Sequence, residues 1–115
     1  MSGSEQRASV RVPARLKVDY SHEDNYLISY SKNISAEGMF ICTDSLVPVG
    51  THVKLVFSIN ELYEIEVNAG VVWVNSQGTK GDIGLGLRFF DPPTPLKEAI
   101  LRIVNRIAVV DHPNH

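Results

Sequence analysis

Two short polar clusters in this chain carry residue types that bind anions and purines. Arg11 and Arg15 lie four residues apart near the N-terminus, and Asn33, Ser35 and Gly38 follow them downstream. Guanidinium groups form bidentate hydrogen bonds with phosphate and with purine acceptor edges. Asparagine offers an acceptor and two donors, serine offers a hydroxyl, and glycine lets the backbone approach a flat base closely. Together the clusters predict a receptor for an anionic purine ligand.

Each cluster alone is also compatible with a purely structural role. Arg11 and Arg15 can solvate the outer face of an edge strand, where basic residues discourage pairing with another chain. Asn33 and Ser35 can instead satisfy the backbone of a hairpin turn in which Gly38 adopts a positive φ. Arg7 continues the spacing of four, and it is interpreted either as an additional ligand contact or as part of a basic tail.

The segment around the two arginines alternates between apolar and polar residues, as a half-buried strand does. Arg11 and Arg15 have the same parity, so we expect both side chains on the outer face, whereas Pro13 predicts an edge or a bulge. A helix is disfavoured because an interior proline removes a backbone hydrogen bond. The apolar positions of this strand are Val10, Val12, Ala14, Leu16 and Val18.

Similar alternation predicts six strands in all, and short antiparallel strands with Gly-rich turns favour a barrel or a sandwich. Gly70 predicts a bend in the longest strand. The alternation there places Trp73 on the core face, although a tryptophan can also stack on a base. The predicted strands cover residues 10–19, 26–32, 39–42, 52–59, 63–73 and 82–90.

A single amphipathic helix is predicted near the C-terminal end, at about residues 95–109. Thr94 and Pro95 suit a helix start, and the apolar residues that follow recur at helical spacing. We expect this stripe to pack against the barrel or to plug one end of it; a dimer seam or a surface for a protein partner is the alternative. The stripe consists of Leu96, Ile100, Ile103, Val104 and Ile107.

Length and composition describe one ordinary globular domain. The chain has 115 residues, of which 43% are hydrophobic and 21% charged, and its formal net charge is −2. That charge disfavours a general DNA or RNA coat, which needs a broad basic surface. The single cysteine, Cys42, excludes an internal disulfide and favours a reducing compartment. With no predicted transmembrane segment or signal peptide, we expect a cytoplasmic protein without membrane insertion.

Residues suited to catalysis or metal binding form no recognisable pattern. The four histidines lack metal-ligand spacing. Glu64 and Glu66 share a strand face, but a solvated surface explains them better than paired carboxylate chemistry does. Gly84 and Gly86 lack the third glycine of a dinucleotide fingerprint and indicate close packing of strands. The sequence therefore predicts no enzyme, no cofactor and no metal site.

In combination, the two clusters resemble the signature of the PilZ domain family, which is an Arg-X-X-X-Arg element followed by an Asp/Asn-X-Ser-X-X-Gly element. Both elements are complete here, as Arg11-Val-Pro-Ala-Arg15 and Asn33-Ile-Ser35-Ala-Glu-Gly38. The resemblance extends from about Arg7 to Val109. Its further landmarks are Val47-Pro-Val-Gly50, Gly70-Val-Val-Trp73 and Gly84-Leu-Gly-Leu-Arg-Phe89.

The resemblance implies a six-stranded antiparallel β-barrel with one C-terminal helix, acting as a bacterial receptor for cyclic di-GMP. In such a receptor the arginines contact phosphates and guanine, and the Asn-Ser-Gly turn contacts a guanine. Many binding members carry a basic residue directly before the first arginine, and Val10 departs from that pattern, which favours one bound ligand over a stacked pair. The ligand contacts implied are Arg11, Arg15, Asn33, Ser35 and Gly38.

The expected organisation is one domain over residues 10–110, preceded by a flexible arm, residues 1–9, and followed by a tail, residues 111–115. Cyclic di-GMP is expected to order the N-terminal arginine segment. The signal would then pass to an unidentified protein partner in motility, adhesion or exopolysaccharide control. The alternative is a PilZ-fold adaptor that binds proteins without nucleotide. We expect a monomer or a weak homodimer.

Overall fold

The computed structural model describes residues 10–111, with side chains as far as residue 106. The strands are β1 (Val12–Pro13), β2 (Lys17–His22), β3 (Asn25–Ser35), β4 (Gly38–Cys42), β5 (His52–Ile59), β6 (Leu62–Asn75) and β7 (Gly84–Phe90). One helix, α1, follows them at Thr94–Asp111. Within the described part of the chain, no helix is long and apolar enough to cross a membrane.

Six of the strands close into an antiparallel barrel. Around the barrel the order is β2, β3, β4, β7, β6 and β5, and β5 pairs again with β2. Closure pairs both edges of the sheet, which removes the unpaired backbone groups of an open one. The predicted six-stranded barrel with a C-terminal helix is therefore confirmed.

The predicted first strand, residues 10–19, is interrupted in its middle. Val12 pairs with Ile34 of β3, whereas Lys17 pairs with Tyr30 of the same strand. The register therefore shifts by one residue between β1 and β2, as expected where a proline enters an edge segment. Arg15 lies within this interruption.

The core lies inside the barrel and beneath one face of α1. Alternate residues of each strand point inward; in β5, for example, these are Val53, Leu55, Phe57 and Ile59. From the helix, the side chains buried in the same cluster are Leu96, Ala99, Ile100 and Val104. The apolar stripe of α1 thus packs against the barrel as far as its side chains are described, and the side chain of Ile107 lies outside that part.

Strand β6 differs from the prediction at its C-terminal half. Its register with β7 shifts between Val71 and Trp73, so the irregularity lies at Val72 and not at Gly70. The extra residue reverses the alternation, and Trp73 is 55% exposed. The prediction that Trp73 is a core residue is therefore wrong, because a bulge turns its side chain to the outer surface of the barrel.

Candidate ligand-binding site

A side-chain hydrogen bond joins the two motif elements. Nη1 of Arg11 donates to Oδ1 of Asn33 over 3.0 Å. The contact forms because β1 pairs with the end of β3, where Pro13 lies opposite Asn33. Arg11 is exposed and Asn33 is half-buried, so the bond lies at the surface, within reach of a ligand.

The second arginine, Arg15, lies over an aromatic ring of β3. Cζ of Arg15 lies 4.5 Å from the centroid of the Tyr30 ring. A guanidinium group over an aromatic face is attracted by the ring electrons, and it keeps its N–H groups at its edge for other acceptors. Both arginines are exposed, as the strand alternation predicts. Arg11 donates a hydrogen bond to Asn33, whereas Arg15 lies over the Tyr30 ring.

A buried serine fixes the backbone between the two arginines. Oγ of Ser31 accepts a hydrogen bond from the backbone N–H of Leu16 at 2.8 Å and donates to the backbone oxygen of Ala14. Ser31 is 2% exposed, so these backbone groups have little access to water. Ser31 thereby holds the segment in which Arg15 lies, a role that the sequence analysis missed.

Ser35 belongs to the turn between β3 and β4. It is 1% exposed, and its Oγ accepts a hydrogen bond from the backbone N–H of Glu37 at 3.2 Å and lies 3.5 Å from the backbone oxygen of Gly38. A serine that binds the backbone two residues later stabilises a tight turn. Its hydroxyl therefore serves the turn in this structure.

Gly38 is required for the close approach of two strands. A Cβ atom at this position would lie 1.9 Å from the backbone oxygen of Leu87 on β7. The positive φ expected for Gly38 is absent, since in the described residues the glycines with positive φ are Gly50 and Gly78. The prediction of a glycine turn is therefore wrong: the turn is made by Ala36 and Glu37, and the glycine is needed for space.

Two adjoining pockets open beside Asn33, and both are lined by the aromatic pair Phe40 and Trp73. The rings of Phe40 and Trp73 lie 5.3 Å apart between centroids, inclined by 49°. The first pocket, of about 100 Å³, is lined by Arg11, Asn33, Phe40, Val72, Trp73 and Gly86. It places a guanidinium group, an amide and an exposed indole around one small cavity.

The second pocket, of about 340 Å³, lies between β3 and the loop of residues 76–83. Its lining residues are Lys32, Asn33, Phe40, Trp73, Asn75, Gln77 and Asp82. Nζ of Lys32 lies 2.9 Å from Oδ1 of Asp82. This hydrogen bond holds the pKa of the Asp82 carboxyl below its usual value and raises the pKa of Lys32 above its usual value. Both groups are therefore charged at neutral pH.

Among the residues assigned from the sequence, the structure brings together Arg11 and Asn33, and it places Arg15 over Tyr30 of β3. Ser35 ends β3 and Gly38 begins β4, and both residues are buried. Arg7 lies outside the described residues. In the described residues no group of three or more His, Cys, Asp or Glu side chains could hold a metal ion.

Three residues that line the pockets were not predicted as site residues from the sequence: Trp73, Lys32 and Asp82. The alternation of β6 hides Trp73, because a bulge leaves no clear mark in the residue pattern. Lys32 and Asp82 are fifty residues apart in the sequence, and a salt bridge over that separation has no local signal. The one indication in the sequence is that Lys32 directly precedes Asn33.

A comparison with protein-family models finds a match to the family described as PilZ domain, over residues 5–106. A search of curated protein sequences finds no match. Among solved structures, the chain is similar to the Bacillus subtilis inhibitor of motility (MotI/DgrA), with a TM-score of 0.75 and 24% identity over 88% of this chain and 50% of that one. The chain thus spans about half the length of that protein.

Two further structures have the same fold at lower identity. The PilZ domain of CeSA from a cellulose-synthesizing bacterium has a TM-score of 0.62 and 13% identity, over 87% of this chain and 99% of that one. The PilZ domain of YcgR from Escherichia coli, solved with c-di-GMP, has a TM-score of 0.61 and 13% identity, over 92% of this chain and 96% of that one. The family match covers most of the sequence and the barrel agrees with it, so this chain belongs to the PilZ domain family.

Proposed function

We propose that this chain is a receptor for cyclic di-GMP, with its site on the β1 segment and the end of β3. The observation that carries the proposal is the hydrogen bond between Arg11 and Asn33, because it unites the two motif elements in one exposed site. Family membership and a structural neighbour solved with c-di-GMP support the choice of ligand.

Arg11 and Arg15 suit the charge and shape of a cyclic dinucleotide. Arg11 uses one N–H group on Asn33, and the other donors of its guanidinium group remain available for phosphate oxygens or the acceptor edge of guanine. Arg15 is held over the Tyr30 ring, which reduces the conformational freedom that binding must remove. We assign phosphate and guanine contacts to both arginines.

Asn33 is proposed to contact a guanine, and the exposed indole of Trp73 lines the same small pocket as Asn33. Ser35 and Gly38 support binding through the backbone: Ser35 fixes the turn and Gly38 lets β4 lie close to β7. A direct ligand contact for these two residues, and for Arg7, remains a prediction.

Ligand binding is proposed to order the chain that precedes Val12. Ser31 already fixes the backbone at Ala14 and Leu16 through hydrogen bonds. The proposed ordering therefore applies to Arg11 and to the residues before it. Charge-assisted hydrogen bonds to phosphate supply the free energy for such an ordering. A protein partner then recognises the closed surface, and motility control is the output that the similarity to MotI favours.

A nucleotide-independent adaptor is the second candidate. Tyr26 and Ile28 on the outer face of β3 are both more than half exposed, and exposed apolar side chains grouped on one strand favour a protein contact. This surface serves a receptor and an adaptor equally, so only nucleotide binding separates the two.

Calorimetric titration with cyclic di-GMP tests the proposal, with GTP as a competing nucleotide and the double variant Arg11→Ala, Arg15→Ala beside the wild type. We expect micromolar or tighter binding, one ligand per chain, and loss of that binding in the double variant. A folded wild-type protein that takes up no ligand would leave the adaptor as the function of this domain.

A further inference from the structure

The second pocket contains charged groups that the proposed function does not use. Lys32 and Asp82 form an ion pair at 2.9 Å on its wall, and neither belongs to the two motif elements. The pocket shares Asn33, Phe40 and Trp73 with the first pocket. The two pockets therefore adjoin.

The carboxylate of Asp82 is held in place by its own loop. Its Oδ2 accepts hydrogen bonds from the backbone N–H of Thr79 at 3.3 Å and from Oγ1 of Thr79 at 2.9 Å. The backbone oxygen of Asp82 accepts a further bond from Nδ2 of Asn75 at 2.6 Å. Oδ1 accepts one bond, from Lys32, and has a second lone pair available, whereas Thr79 uses both lone pairs of Oδ2. A preorganised acceptor of this kind costs little to bring into contact with a ligand.

An ammonium beside a fixed carboxylate matches one edge of guanine. Guanine presents the O6 acceptor next to two donors, N1–H and N2–H, and its major-groove edge adds N7. Lys32 can donate to O6 while Oδ1 of Asp82 accepts from N1–H. Adenine reverses both groups: it places its N6 amino donor toward the ammonium and its N1 acceptor toward the carboxylate, so neither bond can form.

We propose that this second pocket is a guanine subsite, in which Lys32 and Asp82 recognise the base edge and Trp73, supported by Phe40, provides the stacking surface. Its volume of about 340 Å³ falls in the range of small-molecule pockets, roughly 300–1,000 Å³. The proposal deepens the proposed function and rests on it in one respect: the occupant is the second guanine of the cyclic dinucleotide.

The subsite can be tested with mononucleotides, independently of cyclic di-GMP. Trp73 is the one tryptophan of the chain, so its fluorescence reports directly on a base that stacks in the pocket. Titration with 5′-GMP and 5′-AMP should show quenching by both, with a preference for GMP of roughly tenfold, which is the discrimination expected of a bidentate contact to one base edge.

Three variants isolate the base contact. Asp82→Asn keeps the shape of the side chain but turns a donor toward guanine, and it should abolish the preference for GMP. Lys32→Met should weaken the binding of GMP severalfold because the donor to O6 is lost. Thr79→Val is the matched control: it removes the hydroxyl bond to Oδ2, leaves the backbone N–H in place, and should keep the preference within about twofold.

Several outcomes overturn the subsite. They are equal affinity for GMP and AMP in the wild type, a GMP preference that survives in Asp82→Asn, and a loss in Thr79→Val as large as that in Asp82→Asn, which would assign the effect to the shape of the loop. Calorimetry with cyclic di-GMP keeps the two proposals apart. Guanine selectivity without dinucleotide binding would contradict only the proposed function, and dinucleotide binding without guanine selectivity only the subsite.

Discussion

Nη1 of Arg11 lies 3.0 Å from Oδ1 of Asn33, and this hydrogen bond connects two elements that are 22 residues apart in the chain. It also determines which atoms of the Asn33 side chain remain available to a ligand. Because the oxygen accepts from Arg11, the amide N–H groups can point toward a ligand acceptor, such as O6 or N7 of guanine. The pair therefore acts as one donor surface toward a purine nucleotide.

Replacing Arg11 by alanine should weaken cyclic di-GMP binding without destabilising the fold. Loss of one charged hydrogen-bonding group costs about 1.5–3 kcal/mol, or roughly 10- to 150-fold in affinity. Arg11 is exposed, so the melting temperature should stay close to that of the wild type. Calorimetry and thermal unfolding measure the two effects. Arg102→Ala, an exposed arginine on α1, is the control for net charge and should bind normally; a fall in stability for Arg11→Ala would indicate a structural role.

Replacing Ser31 by alanine should lower both stability and affinity, although Ser31 is buried and touches no ligand. The substitution leaves the N–H of Leu16 and the oxygen of Ala14 without their side-chain partner, at a cost of about 1–3 kcal/mol. The segment that holds Arg15 then loses its fixed position. Denaturant unfolding measures the first effect and calorimetry the second. Ser29→Ala, at the next buried position on the same face of β3, should leave affinity unchanged, and equal affinities in the two variants would contradict the positioning role.

Replacing Gly38 by alanine should disrupt the barrel. The new Cβ would lie 1.9 Å from the backbone oxygen of Leu87, and a strand cannot move away without breaking its pairing. We expect a loss of about 3 kcal/mol or more, at the upper end of overpacking effects. Gly81→Ala is the control because a Cβ there meets no atom within 4 Å. Denaturant unfolding compares the two, and similar stabilities would show that β4 and β7 are farther apart in solution.

The contact between Lys32 and Asp82 should make stability depend on pH in the acid range. The pKa of Asp82 is lowered in the folded protein, first by the hydrogen bond from Lys32 and then by Thr79. Its contribution is therefore present above the unfolded pKa, about 4, and is lost as pH falls through the lower folded pKa. The pKa of Lys32 is raised, so its contribution is lost only as pH rises through that raised value.

Thermal unfolding of the wild type and Asp82→Asn across pH measures this effect, because asparagine cannot titrate at that position. The difference in melting temperature between the two proteins should be constant from about pH 5 to pH 8 and should shrink below about pH 4. A difference that does not change with acidification would mean that the carboxylate does not stabilise the loop of residues 76–83.

The sequence predicts those features of the fold that are written in local patterns. Arg11 and Arg15 were placed on one outer face by alternation, and both are exposed. The number and spacing of the strands favour a barrel or a sandwich, and the family resemblance implies the barrel. Trp73 was misplaced because one extra residue at Val72 reverses the alternation, and a bulge of one residue has no distinctive composition.

Contacts across the barrel were beyond the reach of the sequence. Gly38 was expected to adopt a turn conformation, but its neighbour is Leu87 of a distant strand, and sequence position gives no measure of that distance. Ser31 falls within a predicted strand, and its backbone partners, Ala14 and Leu16, lie 15 or more residues away in the segment between β1 and β2. The parts of the site that depend on such long-range contacts could be found only in the structure.

A nuclear magnetic resonance titration of the isotope-labelled protein with cyclic di-GMP tests most directly whether the ligand binds at the contact between Arg11 and Asn33. If the ligand binds where Arg11 meets Asn33, the largest shifts should fall on the side-chain amide of Asn33, the guanidinium N–H groups of Arg11 and the indole N–H of Trp73. They should saturate at one ligand per chain and disappear in Arg11→Ala, Arg15→Ala. Shifts confined to another face of the barrel, or no shifts at millimolar ligand, would contradict the account.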